Sequence, residues 1–237
     1  MSREISNDFS NLLEFIKGYN LQGHSGNGDF LKILSQQHKK FYSYLTCVAE
    51  LIHLSKDNSI TPAISEKQLA FITESCSDIG NALFVMTHGA YKASKMMLRS
   101  SIETFNKGFN LDDIPNLDQE KSVFVIFDKI KALPFFNQDP QKILFDSIHQ
   151  DYKLLCQDTH TAADINMQHI TALNYFPTFD LSEATQVSEI LMRLVASYNT
   201  LICIKYNDHF QKMHHRNKEN IIENIPKPFR PLIHGIS

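Results

Sequence analysis

The chain has 237 residues, of which 43% are hydrophobic, so it is long enough to form one domain with a substantial core. It contains only 8 Gly and 8 Pro, and this scarcity of turn residues argues against a sandwich of many strands and favours a mostly helical protein. The formal charge of −3 gives the chain no general attraction to nucleic acid or to an anionic membrane.

Cysteine usage indicates a reducing compartment. The four cysteines are far apart, lie in apolar helical contexts and form no Cys-x-x-Cys pair: Cys47, Cys76, Cys156 and Cys203. We therefore expect free thiols and a cytoplasmic location. The N-terminus, MSREISNDFS, lacks the apolar core of a signal peptide, and no apolar run approaches the ~18 residues of a membrane span. No membrane partner is expected.

Hydrophobic periodicity and capping signals predict a series of helices in chain order. The predicted helices cover residues 7–18, 29–56, 65–107, 118–132, 139–160 and 181–222. The first two are separated by a glycine-rich stretch, LQGHSGNGD, which is predicted to be irregular. The third begins at a capping box formed by Ser65 and Gln68, and its length of about 60 Å predicts a kink at Gly80 or Gly89.

The C-terminal third contains the last predicted helix and a proline-rich end. Asp180 and Glu183 form a capping box that starts this helix, whereas residues 161–179 before it are ambiguous. Residues 223–237 contain three prolines and are predicted to be an extended tail. The sequence thus predicts an all-α fold, a single helical bundle of four or five main helices over residues 1–222.

One stretch, GAYKASKMMLRSSIETF, combines an apolar face with a polar stripe along the same helix. The stripe residues follow one another at steps of three or four: His88, Lys92, Lys95, Arg99 and Glu103. The simplest interpretation is a solvated helix edge with one ion pair between Arg99 and Glu103, which are four residues apart. The functional interpretation is a cationic stripe that binds a phosphate or a partner carboxylate.

A second polar edge lies on the predicted helix 139–160. Its members are His149, Lys153, Cys156 and His160, next to an apolar side that includes Tyr152. A histidine at the end of a helix interacts favourably with the last carbonyl groups, so His160 has a structural interpretation. An imidazole there is also suited to act as an acid, a base or a phosphate contact.

The two stretches YKASKMMLRSSIE and YKLLCQDTH resemble those of an uncharacterised prokaryotic all-helical family. Its members carry an Arg-x-x-x-Glu step on one helix and a Tyr-x-x-Leu-(Ser/Cys)-x-x-x-His step on a later one. The matching positions here are Arg99 with Glu103, and Tyr152 with His160. Cys156 stands where a small hydroxyl residue is usual. The resemblance covers about residues 80–165.

That family is in turn similar to the HEPN helical bundles, many of which are metal-independent ribonucleases of toxin and phage-defence systems. Their active motif is an arginine followed four to six residues later by a histidine. Arg99 has no histidine at that distance, and Arg216-Asn217 repeats only the opening of the motif. The resemblance therefore implies the fold and a defence role, whereas the usual nuclease motif is not carried over.

These observations support a first functional hypothesis, which is a helical defence protein that binds RNA or a partner protein at an Arg/His pocket. Arg99, His160, Glu103 and Tyr152 would form the centre of the site, and four further residues would contact the ligand: Lys92, Lys95, His149 and Lys153. If RNA were cleaved, His160 would transfer protons and Arg99 would stabilise the phosphorane charge. A homo-oligomer is also expected.

Two alternatives remain open. Glu50-x-x-His53 and Asp146-x-x-His149 imitate the ligand steps of di-iron helical bundles, but Glu50 and Asp146 point away from the predicted apolar faces. The second alternative is an interaction module, in which the basic run 209–218 or the tail contacts a partner. No Gly-rich phosphate loop, nucleophile elbow or paired-cysteine site is present, so no cofactor and no metal are predicted.

Overall fold

The protein is all-α. A computed structural model describes residues 2–18, 22–57, 59–159 and 177–234, and these ranges contain no strand. The α-helices are α1 Arg3–Gly18, α2 Gln22–Ser25, α3 Gly28–Leu54, α4 Glu66–Thr87, α5 Tyr91–Asn110, α6 Val123–Lys131, α7 Gln141–Thr159, α8 Leu181–Lys205, α9 Asn207–Lys212, α10 His215–Asn224 and α11 Arg230–His234. The predicted number of four or five main helices is too low, partly because two long predicted helices each correspond to two or more shorter helices in the structure.

α8 is the central helix of the bundle. It runs in the same direction as α3, because Phe30 contacts Phe179 at the start of the pair while Ser43 accepts a hydrogen bond from Asn199 further along. It also packs against α5, where the Tyr198 ring stacks on Phe105 at 3.9 Å. By length and composition α8 could span a membrane, yet 78% of its most apolar window is buried inside the bundle, so packing accounts for its hydropathy.

The predicted helix 65–107 is two antiparallel helices, α4 and α5, and not one kinked helix. Its capping box is confirmed, because the Ser65 hydroxyl accepts from the Gln68 backbone N–H and the Gln68 side chain accepts from the Ser65 N–H. The chain reverses at Gly89, whose φ of +80° lies in the left-handed region that favours glycine. Thr178 donates its backbone N–H to the His88 carbonyl and closes this turn against the start of α8.

The predicted final helix 181–222 is likewise divided. Its start is confirmed, since the Asp180 side chain accepts from the backbone N–H of Glu183. The helix ends at Lys205, and α9 and α10 follow after breaks at Tyr206 and Met213, whose ψ values of 47° and 152° are not helical. The alternation of polar and apolar residues does not reveal these breaks, because its helical spacing continues from α8 into α9 and α10.

The prediction of an extended C-terminal tail is wrong. α10 ends at Asn224, beyond the predicted boundary at 222, and a 3₁₀ turn at Lys227–Phe229 leads into α11. α11 docks on the bundle, because Ile233 is fully buried and its carbonyl accepts from the side chains of Asn207 and Gln211. The three prolines set the turn and the short helix, and they do not keep the chain extended.

We expect the substitution Ile233→Ala to lower the free energy of unfolding by about 2 kcal/mol, because it removes a buried side chain and leaves a cavity. In a chain of this size the loss corresponds to a drop of about 4–8 °C in melting temperature, measured by differential scanning calorimetry. Leu232→Ala is the matched control, since Leu232 is 44% exposed. Equal melting temperatures for the two variants would contradict the docked tail.

The end of α10 gives a pH-dependent stability. Lys40 donates to the Asn224 carbonyl at 2.6 Å, and burial together with the charges of Lys39 and Arg230 lowers the pKa of Lys40 to about 8. The unfolded chain therefore holds this proton between about pH 8 and pH 10.5 while the folded chain has lost it, so the Lys40 contribution to stability rises with pH. The difference in free energy of unfolding between the wild type and Lys40→Met should shift in favour of the wild type as the pH rises through this window, and a constant difference would contradict this.

Candidate functional site

Four polar side chains meet between α5 and α7, and we call them the Arg99 cluster: Arg99, Glu103, Tyr152 and Cys156. The Arg99 Nη2 atom lies 2.8 Å from Tyr152 Oη and 3.0 Å from Glu103 Oε1. The Tyr152 hydroxyl donates to Glu103 Oε1 at 3.3 Å, and Arg99 Nε donates to Cys156 Sγ at 3.4 Å. The guanidinium carbon also lies 5.2 Å from the Tyr152 ring centroid. The guanidinium is thus held from three sides.

Apolar packing on both helices places the cluster. Leu98 and Ile102 are fully buried on α5 and bring its polar edge alongside α7. On α7 the centroid of the Tyr152 ring lies 5.3 Å from that of Phe127, and this packing holds the ring and its hydroxyl beside the Arg99 guanidinium. The Arg99 and Glu103 side chains remain 34% and 30% exposed, so the cluster lies at the rim of the α5–α7 interface. A ligand in solvent can therefore reach it.

Two pKa shifts define the charge state of the cluster. Burial lowers the pKa of the Arg99 guanidinium, but the Cys156 sulfur and the Glu103 carboxylate more than reverse this, so the pKa lies above its ordinary value. Burial, the hydrogen bond with Cys156 and the charge of Glu103 raise the pKa of Tyr152 far above its ordinary value. Near pH 7 the cluster therefore contains a guanidinium cation and a neutral phenol.

Some donors of the Arg99 guanidinium are already engaged within the cluster. A guanidinium has five N–H groups, of which Nε–H goes to Cys156 and one on Nη2 goes to Tyr152, while Nη2 also lies in the ion pair with Glu103. The single hydroxyl proton of Tyr152 goes to Glu103. The two N–H groups on Nη1 have no partner in the described part of the chain, so they are the donors that an incoming acceptor would meet.

The two lysines of the first polar stripe, Lys92 and Lys95, are not members of the Arg99 cluster. Lys95 is 6% exposed and forms an ion pair with Glu183 at 3.2 Å, so it ties α5 to the start of α8. Lys92 is half-buried in the first turn of α5, one turn before Lys95. The predicted continuous cationic stripe is therefore interrupted at Lys95, whose buried side chain pairs with the more exposed Glu183.

The residues of the second polar edge, on α7, also lie in different surroundings. The His149 ring stacks on Phe127 at 4.2 Å, and burial together with the charge of Lys153 lowers its pKa, so the imidazole is neutral near pH 7. Lys153 is exposed one turn beyond it. His160 lies outside the described residues, because the description of α7 ends at Thr159. The predicted pairing of Arg99 with His160 stays a prediction.

Glu50 of the metal hypothesis and two residues of the basic run have other partners. Glu50 accepts a hydrogen bond from the Asn217 side chain, and no group of three potential metal ligands occurs within the described ranges. In the basic run His209 is buried, whereas Lys212 and Arg216 form exposed ion pairs with Asp57 and Glu4. These contacts connect α9 and α10 to neighbouring segments.

A second guanidinium, which was not predicted from the sequence, contacts α7 from α8. Arg193 of α8 binds Asp151 through Nη2 at 2.6 Å and Nε at 3.3 Å, and the Asp151 side chain is only 6% exposed. Adjacent residues of α7 thus accept hydrogen bonds from two different helices, Tyr152 from Arg99 and Asp151 from Arg193. One signal was present in the sequence, since Arg193 is a single charge within the apolar run ILMRLVASY.

Comparisons with known proteins add no family to this picture: no family model, no curated protein and no solved structure matches the chain.

Proposed function

We propose that the protein is a helical RNA-binding protein of a prokaryotic defence system and that Arg99 contacts a backbone phosphate. The observation that carries the proposal is the guanidinium of the Arg99 cluster, which is fixed across two helices while its Nη1 donors have no partner among the described residues. The defence role, the relationship to HEPN proteins, the cytoplasmic location and a homo-oligomeric state rest on the sequence expectations alone.

The chemistry of the cluster favours phosphate as the acceptor. The Nη1 group offers two N–H donors on a permanent cation, and a phosphate oxygen accepts strong charge-assisted hydrogen bonds from such donors. Tyr152 and Cys156 hold the Arg99 side chain in one orientation, so little of its rotational freedom remains to be lost on binding. Glu103 balances the charge of the guanidinium in the free protein, which limits its attraction to small anions.

Binding is proposed rather than cleavage because the described members of the cluster offer no suitable proton carrier. The raised pKa of Tyr152 keeps its phenol protonated near pH 7, and Glu103 is engaged by both Arg99 and Tyr152. General acid–base chemistry works best with a pKa near the operating pH. The ribonuclease alternative therefore depends on His160, and it stays open as a prediction.

The test is to titrate a fluorescently labelled single-stranded RNA with the purified full chain and to follow anisotropy in the presence of EDTA. The proposal predicts saturable binding of an RNA that stays intact on a denaturing gel. Absence of binding at low salt would overturn it. Cleavage in EDTA that disappears in both Arg99→Ala and His160→Ala would replace it with the ribonuclease alternative.

A further inference from the structure

A cleft between α7 and α8 contains a second arrangement of cations that the proposed function does not use. Its volume is about 370 Å³, at the lower end of the roughly 300–1,000 Å³ usual for small-molecule pockets. One wall is a face of α7 that presents polar side chains, and Arg193 of α8 lies opposite. The polar lining includes Ser147, Gln150, Asp151, Lys153, Gln157 and Arg193.

Arg193 is fixed in this cleft by a buried carboxylate. Asp151 accepts from Nε and Nη2 of Arg193, so one edge of the guanidinium is occupied. Burial raises the pKa of Asp151 although Arg193 opposes the shift, and the hydrogen bond to Asp151 raises the pKa of Arg193. The Asp151 side chain is 6% exposed and that of Arg193 is 45% exposed, so the guanidinium is anchored from inside the bundle and stays accessible from the cleft.

The free edge of Arg193 and the nearby lysine form a cationic pair of donors. The Nη1 atom of Arg193 has no partner among the residues that the structure describes, and exposed Lys153 forms no ion pair with any of them. Among the described lining residues, two cations and one carboxylate give a net charge of +1, since the other polar groups there are neutral. These described residues include no aromatic ring on which a base could stack, so they are suited to the anionic part of a ligand.

We propose that the cleft between α7 and α8 is a binding site for the phosphate group of a small phosphorylated compound, contacted by Arg193 and Lys153. Asp151 acts as a positioning residue that orients the guanidinium. Phosphate fits better than a carboxylate because its tetrahedral oxygens accept from donors on both walls at once. The site is separate from the Arg99 cluster, because Asp151 accepts its hydrogen bonds from α8 whereas Tyr152 accepts one from α5.

Isothermal titration calorimetry on the full chain tests this site with inorganic phosphate, with a sugar monophosphate and with single-stranded RNA. We expect saturable binding of phosphate or the sugar phosphate with a Kd no weaker than about 10 mM. We expect Arg193→Gln and Lys153→Gln each to weaken that binding about tenfold or more. The control Lys67→Met, which removes a lysine of α4 that pairs with Asp118, leaves it unchanged. Binding of RNA alone, lost in Arg193→Gln, would mean that the phosphate recognised belongs to a polynucleotide.

Two results would overturn the proposal. One is the absence of binding by all three ligands, and the other is equal binding by the wild type and Lys153→Gln. Lys153 is exposed, so this variant remains informative even if Arg193→Gln leaves Asp151 unpaired and fails to fold. Loss of RNA binding in Arg99→Met with phosphate binding retained would show that the two sites are independent.

Discussion

Replacing Gly89 by alanine is expected to lower the free energy of unfolding by about 3 kcal/mol, combining strain in the left-handed region with overpacking. At this position a Cβ atom would lie 2.3 Å from the Thr178 carbonyl oxygen and 2.5 Å from its methyl carbon. The Thr178 backbone cannot move away without shifting the start of α8, because its N–H group is hydrogen-bonded to the His88 carbonyl. The expected fall in melting temperature is about 6–12 °C.

Gly28→Ala is the matched control for this prediction. Gly28 is the first residue of α3, and a Cβ atom there would have no described atom within 4 Å. Alanine is also the better helix former, so Gly28→Ala should be neutral or slightly stabilising. Thermal melts of both variants by circular dichroism provide the comparison. If the two melted at the same temperature, the tight turn between α4 and α5 would be contradicted.

Replacing Arg99 by methionine is expected to weaken RNA binding about ten- to a hundredfold, because it removes hydrogen bonds from a charged donor worth about 1.5–3 kcal/mol. Methionine keeps the apolar stem, and the effect on folding should be small because Glu103 stays partly exposed. Competition titration against labelled RNA measures the loss. Tyr152→Phe should give a smaller decrease, since it frees the guanidinium without removing its charge.

Lys67→Met is the charge-matched control for Arg99→Met. Lys67 forms an exposed ion pair with Asp118 and lies outside the Arg99 cluster. Both substitutions lower the net charge of the chain by one, so a purely general electrostatic attraction would weaken binding equally in the two variants. An equal loss would therefore argue against a specific role for Arg99.

Local signals in the sequence predicted the starts of two helices and one contact of the candidate site. An N-cap involves only a few neighbouring atoms, so the N-caps Ser65 and Asp180 lie where they were predicted. The Arg99–Glu103 pair is similarly local, since residues four apart on a helix are neighbours. The contact of this pair with Tyr152 was an expectation from the resemblance, and the structure brings these three residues together.

Features that depend on distant partners could not be predicted. The reversal at Gly89 is decided by the fit of Thr178 against it, 89 residues later, and the helical pattern continues through the turn. Lys95 is part of a stripe that the sequence predicts to be solvated, but in the structure its side chain is buried and pairs with Glu183 of α8. Helical periodicity assigns a face to each residue, but it does not say which helix will cover that face.

The most direct test of the central claim is the salt dependence of RNA binding for the wild type and Arg99→Met. Each phosphate contact made with single-stranded RNA contributes about 0.7 to the slope of log Kd against log salt concentration. If Arg99 binds a phosphate, the slope for Arg99→Met should be smaller than that of the wild type by about this amount, while Lys67→Met keeps the wild-type slope. Identical slopes for the wild type and Arg99→Met would contradict the account.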